Sequence, residues 1–374
     1  MDGQMTYGFL LYYNTLKGLS VWVILLYREF VAWILNAALT SPAVKTGDID
    51  TGGNIMKRTL SLAIFIGAAT LATGAIAASH AGDWTKSPFG VEDQAGRSNL
   101  MTPVKALEAA ALMKTGNVVS LGRTYEAGMP LFGSRAFALR GTGGLAGGPL
   151  AENGVIWNDD FLATEIGQVG TQFDGLSHIG IHEAGKNKFY NGIEASEMNG
   201  SYGMNKLGME HVKPFFTRGI LVDMVGLLGR NMEVGEEISA QHIKDALAKQ
   251  GTAMPGEGDV VVFHTGWGDL WMVDNAKFNS GCPGIGLEAA AMLVEAGVAV
   301  VGSDTWPVEV VPNPDPKLAF PVHQEFLPKN GIFIHENLAS ERLAEAGVYE
   351  FAYIFSPVPI KGATGSPGAP LAVY

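Results

Sequence analysis

The sequence has very little cysteine and few basic residues. Its 374 residues include one cysteine, so a disulfide within the chain is excluded, and so is a zinc site built from two or more of its cysteines. Lysine and arginine number 25 against 37 aspartate and glutamate residues, for a formal net charge of -12. Because phosphate backbones bind to basic surfaces, this balance argues against a nucleic-acid partner.

Apolar residues and glycine are plentiful. Apolar residues make up 47% of the chain, which is enough for a sizeable core, and there are 49 glycines. The glycine content indicates a loop-rich α/β or β-rich protein rather than a helical bundle.

A stretch within the first eighty residues has the features of a secretory signal peptide. Two positive charges in residues 56–58 precede an apolar run over 60–72, and small residues follow at 75–77 and 79–81. The run is short and rich in alanine and threonine, which disfavours a membrane anchor. We therefore predict a cleaved signal over 56–81, no stable membrane insertion after cleavage, and a periplasmic or secreted protein.

Residues 1–55 do not fit this scheme, since a signal peptide should begin the protein. The apolar segment 19–39 is interrupted by Arg28 and Glu29, and such a charge pair is costly inside a membrane. We interpret 1–55 as upstream sequence, with Met56 as the true start. A membrane-associated extension is the alternative. The rest of the chain, 82–374, shows no linker or repeat and is predicted to be one domain.

Alternating strands and helices are predicted in that domain. Strands are expected at 118–121, 219–224, 259–264, 298–302 and 332–334. Helices are expected over 104–115, before Gln250 with Ser239 as N-cap, and over 287–296 with Gly297 closing it. This pattern favours an α/β fold with a mixed sheet. The glycine-rich run 141–148 is predicted to be a flexible loop.

The run 165–182 (EIGQVGTQFDGLSHIGIH) carries the main chemical signal. Gln168, Gln172, Asp174 and His178 are separated by even offsets and would share one side of an extended chain. Nearby glycines allow the backbone to bend these side chains toward one cavity. Asp174 offers a hard oxygen ligand, and His178 is a possible ligand or general acid/base. A glycine-rich turn without a metal is the alternative.

This run resembles the signature of the cyclase family that includes kynurenine formamidases, isatin hydrolases and trans-dienelactone hydrolases. Many members carry His-x3-His-x-Asp-x3-His, whereas this sequence has Gln168 and Gln172 at the first two positions with the same spacing. The resemblance continues through Gly266-Trp267, the run 302–306 and the run 331–338. It covers roughly residues 115–374 in the same order.

The resemblance implies an α/β fold of the swivelling β/β/α type with a mixed sheet. It also implies a site for one or two divalent metal ions, zinc or manganese, with His178 as the proton shuttle. The implied ligands are Gln168, Gln172, Asp174, His323 and Glu336. A glutamine amide oxygen suits ions harder than Zn²⁺, such as Mn²⁺. The glutamine pattern resembles the lactone-hydrolysing branch of the family.

From this resemblance we expect a metal-dependent hydrolase of a small cyclic ester or cyclic amide, or of an aryl formamide. Hydroxide bound to the metal would attack, and His178 would act as acid/base. A periplasmic binding protein without turnover and a metal-dependent isomerase or dehydratase are the alternatives. A homodimer or homotetramer is expected.

Aromatic residues near these motifs are candidates for the substrate pocket, as an apolar wall around a ring-shaped substrate. Core packing is the ordinary role of such side chains, so both interpretations stay open. The pocket candidates are Phe132, Trp157, His264, Trp267 and Trp306.

Overall fold

The computed structural model describes residues 83–141 and 147–374. The predicted upstream segment 1–55 and signal peptide 56–81 lie outside the described residues, as do residues 142–146 of the glycine-rich run. Across the described ranges, no helix combines the length and apolar character that a membrane crossing requires.

Strands follow one another in the first part of the described chain, and helices and strands alternate between residues 215 and 355. The helices are α1 (Pro103–Ala110), α2 (Ala195–Met198), α3 (Met224–Leu228), α4 (Ala240–Gln250), α5 (Asn275–Asn279), α6 (Leu287–Ala296), α7 (Pro321–Asn330) and α8 (Glu341–Glu345). The first ten strands are β1 (Val118–Ser120), β2 (Phe137–Gly141), β3 (Gly147–Leu150), β4 (Val155–Trp157), β5 (Asp160–Thr164), β6 (Gln172–Asp174), β7 (Ile181–Glu183), β8 (Lys186–Lys188), β9 (Asn199–Gly200) and β10 (Gly203–Met204). The others are β11 (Phe215–Asp223), β12 (Glu237–Ile238), β13 (Val260–His264), β14 (Gly284–Ile285), β15 (Val300–Ser303), β16 (Phe333–Glu336), β17 (Glu350–Phe355), β18 (Gly365–Pro367) and β19 (Leu371–Val373).

One large mixed sheet organises the described residues. Its nine strands run in the order β1-β19-β17-β11-β13-β15-β16-β6-β18. The four central strands β11, β13, β15 and β16 are parallel, and antiparallel strands extend the sheet on both sides. Parallel neighbours need crossover connections, which here contain α4, α6 and α7. The predicted α/β fold with a mixed sheet is confirmed.

The predicted capping residues of the crossover helices α4 and α6 are present at the helix ends. The Ser239 hydroxyl accepts the backbone N–H of His242 at 3.2 Å, which caps the start of α4. Helix α6 ends at Gly297, which has a left-handed φ of 82°. In contrast, the predicted glycine loop is only partly irregular, because Gly141 closes β2 and Gly147 opens β3.

The core beneath the sheet centres on Phe173. This fully buried ring stacks on Phe333, with ring centroids 5.1 Å apart, and contacts Phe215 and Phe355 at 5.5 and 5.1 Å. Phe173 lies between Gln172 and Asp174 in β6. Its packing therefore anchors the strand whose opposite face carries the polar residues of interest.

We predict that Phe173→Ala lowers the free energy of unfolding by about 3–5 kcal/mol, because it opens a cavity among four packed rings. Denaturant unfolding measures this change. Leu162→Ala is the control: Leu162 is 55% exposed on a hairpin, so its loss should change stability little. Equal effects of the two substitutions would contradict the assigned core.

Two hairpins project apolar side chains into solvent. Strand β2 pairs with β5, and β3 pairs with β4. Exposed apolar residues of these hairpins include Leu139, Ile156 and Phe161. The expected homodimer or homotetramer stays a prediction.

Candidate metal centre

Strand pairing at one side of the sheet brings the polar residues together. Strand β6 is antiparallel to β16, with Gln172 opposite Glu336 and Asp174 opposite Ile334. Because directly opposed residues share a face, Gln172, Asp174 and Glu336 lie on the same face of the sheet. All three side chains are buried.

The chain enters β6 through a bend, as the sequence requires. Gln168 has a left-handed φ of 64°, and Gly170 has one of 61°. A Cβ at Gly170 would lie 2.5 Å from the Tyr125 ring, so glycine is needed there for space as well as conformation. The Tyr125 hydroxyl donates to the carbonyl of Thr171 next to the strand. The bend separates Gln168 from the strand residues.

Helix α7 supplies the histidine that completes the cluster. His323 Nε2 lies 3.7 Å from Asp174 Oδ2 and 3.4 Å from Glu336 Oε1. One ligand atom from each of these three residues falls within 4.8 Å of the others. Two carboxylates and one imidazole can bind a divalent ion and leave positions open for water or substrate.

The unpaired acceptors of the cluster fit a cation. Among the described residues, no hydrogen-bond donor reaches the buried carboxylate oxygens of Asp174, Oε1 of Glu336 or Oε1 of Gln172. Buried acceptors normally have a partner, and four together are costly unless positive charge compensates them. The donor set of these residues therefore fits a divalent metal ion.

The two glutamines occupy different places. The Gln172 amide N–H donates to Glu336 Oε2, so this residue braces a ligand while its own carbonyl oxygen stays unpaired. Gln168 lines the cavity beside the cluster. The sequence spacing predicted that both glutamines belong to one ligand set. In the structure, Gln168 lies in the bend before β6, whereas Gln172 lies in β6 itself.

The charges of the metal-free cluster shift its titration. Burial, reinforced by the charge of Asp174, raises the pKa of Glu336 to about 8. Burial also acts to lower the pKa of His323, but the neighbouring carboxylates of Glu309 and Glu336 outweigh it and raise that pKa to about 10. The metal-free site therefore holds protons that a divalent ion must displace.

His178 stands at the wall of an adjacent cavity. Its Nε2 lies 3.8 Å from Asp174 Oδ1, and its side chain is 22% exposed. The cavity has a volume of about 160 Å³ and includes His178, Gln168, His323 and Glu336 in its lining. An acid/base group thus faces the same space as the cluster.

Three aromatic side chains also line this cavity. Phe132 stacks on Trp306 with ring centroids 4.6 Å apart and an interplanar angle of 24°. Phe320 meets Trp306 edge-on, with centroids 6.3 Å apart. All three line the cavity, so it can accept a flat ring.

Three other pocket candidates do not line this cavity. Trp267 is buried behind it, where its indole N–H donates to the carbonyl of Phe278. Trp157 lies on β4 with 42% of its surface exposed. His264 lies at the end of β13, where Nδ1 contacts Ser340 Oγ at 3.1 Å and Asp304 Oδ2 at 3.5 Å.

The contacts of His264 do not form a nucleophilic triad. Ser340 and Asp304 both contact Nδ1 of His264, whereas a proton relay needs one of these residues at each ring nitrogen. Asp304 instead accepts backbone N–H groups of Thr265 and Gly266, which fixes the end of β13. Asp304 therefore has a structural role.

Sequence reasoning missed several residues that line the cavity or touch the cluster. Arg135, Ile179, Pro307 and Phe320 line the cavity, and Glu309 contacts His323. None belongs to a spaced motif. Only the proline after Phe320, at the first position of α7, marked a helix start in this region.

Comparisons with known proteins agree with this geometry. The family model described as "Putative cyclase" matches residues 119–310. A crystal structure described as a novel cyclase is 33% identical, with a TM-score of 0.67 over 76% of this chain and 96% of that one. The chain belongs to the cyclase family. The family resemblance read from the sequence is thereby confirmed.

More distant structures share the cyclase fold. Isatin hydrolase A from Labrenzia aggregata, bound to benzyl benzoate, is 19% identical, with a TM-score of 0.51 over 72% of this chain and 98% of that one. Isatin hydrolase A from Ralstonia solanacearum has the same identity and TM-score, over 72% and 97% of the chains. A search of curated proteins found no match.

We predict that the protein binds a divalent ion more weakly as pH falls from 8 to 6. Below pKa values of about 8 for Glu336 and about 10 for His323, protons compete with the ion. Each displaced proton should weaken binding by about tenfold per pH unit. Calorimetric titration of chelator-treated protein in buffers of different ionisation enthalpy measures affinity and proton release. A pH-independent affinity would contradict this protonation of the cluster.

Proposed function

We propose that the protein is a metal-dependent hydrolase that opens a small cyclic ester or cyclic amide. An aryl formamide is the next candidate. The observation that carries this proposal is the buried cluster of Asp174, His323 and Glu336 beside a cavity that also contains His178. An acid/base group, a set of ligands and a substrate-sized space meet at one place.

The protein's own residues divide the work of hydrolysis. Asp174, His323 and Glu336 would hold a divalent ion, and the chemistry that the ion supplies is Lewis acidity toward water and a carbonyl oxygen. His178 Nε2 takes a proton from the attacking water and returns it to the departing oxygen or nitrogen. Partial exposure lets His178 exchange protons with solvent between turnovers.

The shape of the cavity supports a ring-shaped substrate. Phe132 and Trp306 present stacked rings, and Phe320 closes the side of the same wall. A flat lactone or lactam can lie against these faces while its carbonyl points toward Glu336 and His323. The small volume of the cavity disfavours long acyl chains.

His178→Ala should lower kcat about 10²–10⁴-fold on any good substrate, because general acid/base catalysis is lost. Its divalent-ion affinity should change little. His182→Ala is the matched control: His182 is exposed and contacts Asn187 at 2.7 Å, outside the cavity. Steady-state kinetics and ion titration measure the two effects. Unchanged kcat in His178→Ala would remove His178 from the mechanism.

A second experiment tests the reaction class. Chelator-treated protein should lose turnover of a panel of aryl lactones, cyclic imides and aryl formamides, and Mn²⁺ or Zn²⁺ should restore it. In oxygen-18 water, hydrolysis places the label in the new carboxylate, whereas isomerisation or dehydration does not. Ligand binding that survives metal removal without any turnover would favour the binding-protein alternative.

We also propose that the site prefers manganese to zinc. The unpaired amide oxygen of Gln172 and two carboxylates form an oxygen-rich donor set, which favours manganese over zinc. Export to the periplasm or beyond stays a prediction from residues 56–81.

A further inference from the structure

A third buried carboxylate, Glu309, touches the proposed ligand His323 from the side away from the cluster. Glu309 Oε1 lies 2.5 Å from His323 Nδ1, and Glu309 is 1% exposed. The other ring nitrogen, Nε2, is the one that faces Asp174 and Glu336. The imidazole thus stands between Glu309 and the cluster.

This contact defines which nitrogen carries hydrogen. An ionised carboxylate is an acceptor only, so a ring nitrogen 2.5 Å from it must be the donor. With Nδ1–H donated to Glu309, the lone pair available for a metal ion is on Nε2. The ring orientation and the required tautomer are therefore set by the same hydrogen bond.

Glu309 is itself held by the fold. Its carboxylate accepts the backbone N–H groups of Val322 at 3.2 Å and His323 at 3.0 Å, in the first turn of α7. Phe320, the N-cap of that helix, provides no side-chain cap, so Glu309 satisfies these donors and lies at the favourable end of the helix dipole.

The backbone around Glu309 is equally constrained. The N–H of Val310 donates to the carbonyl of Ile285 at 3.2 Å, which ties this segment to β14. A Cβ at Gly284 would lie 2.4 Å from the carbonyl carbon of Glu309, so only glycine permits this approach. Glu309 therefore has little freedom to move away from His323.

We propose that Glu309 is a positioning residue that holds His323 with Nδ1–H toward its carboxylate and Nε2 toward the metal ion, and thereby sets the affinity of the site. The inference rests on the proposed metal site. It adds a residue that no ligand motif identifies and that is not among the residues lining the cavity.

The test compares divalent-ion affinity in three variants by competition with a chromophoric chelator. Glu309→Ala should weaken Mn²⁺ or Zn²⁺ binding about 10–100-fold relative to the native protein, and Glu309→Gln, whose amide oxygen can still accept Nδ1–H, should weaken it less. Asp304→Asn is the matched control. Asp304 is likewise a buried carboxylate that accepts backbone N–H groups, but it contacts His264 rather than the cluster. Its loss should leave the affinity unchanged, with folding of each variant checked by circular dichroism.

A measurement on the native protein keeps the inference testable if both Glu309 variants fail to fold. In protein labelled with 15N-histidine and loaded with 113Cd²⁺, cadmium coupling should appear at Nε2 of His323, and Nδ1 should carry a proton. Coupling at Nδ1, or unchanged ion affinity in the folded Glu309 variants, would overturn the role of Glu309. Failure of the native protein to bind any divalent ion would overturn the proposed metal site as well.

Discussion

The register between β6 and β16 is the constraint on which the site depends. It sets Gln172 against Glu336 and Asp174 against Ile334, so the polar side chains share one face while Phe173 and His335 occupy the other. A slip by one residue would exchange the two faces, burying carboxylates among aromatic rings. The stacked ring of Phe173 opposes such a slip, because no other residue of β6 can fill its place in the core. The packing of Phe173 on one face of β6 therefore fixes the positions of the polar side chains on the other face.

This arrangement buries two carboxylates whose negative charges repel each other. Asp174 and Glu336 are buried close together, and the pKa of Glu336 rises to about 8 because burial and a neighbouring negative charge both disfavour its ionised form. His323 relieves part of the conflict, and Glu309 keeps the imidazole in place from behind. Buried carboxylates without a cation disfavour folding, and a bound divalent ion would compensate their charge.

The parallel centre of the sheet could be predicted from sequence because its strands are continuous apolar runs with ordinary helix caps between them. Even spacing likewise singled out Asp174, which lies at the end of β6, and His178, which lies in the turn that follows that strand. Glu309 could not be found this way. It lies in an irregular segment, and its partners are backbone groups of α7 and one ring nitrogen, which leave no spacing pattern. Trp267 and Trp157 do not line the described cavity, because the presence of an aromatic residue in a sequence does not reveal which way its ring packs.

The charge of the cluster also bears on how many ions it can hold. Asp174 and Glu336 together balance one divalent ion, and the charge of Glu309 is already engaged by the N-terminus of α7 and by His323. A second divalent ion would leave two uncompensated positive charges in a buried site, because Gln172 and Gln168 are neutral. Gln172 meanwhile donates to Glu336 and keeps an oxygen free, two roles that a neutral imidazole performs only through opposite ring nitrogens. Gln172 can therefore brace Glu336 and still offer an oxygen atom to a bound ion.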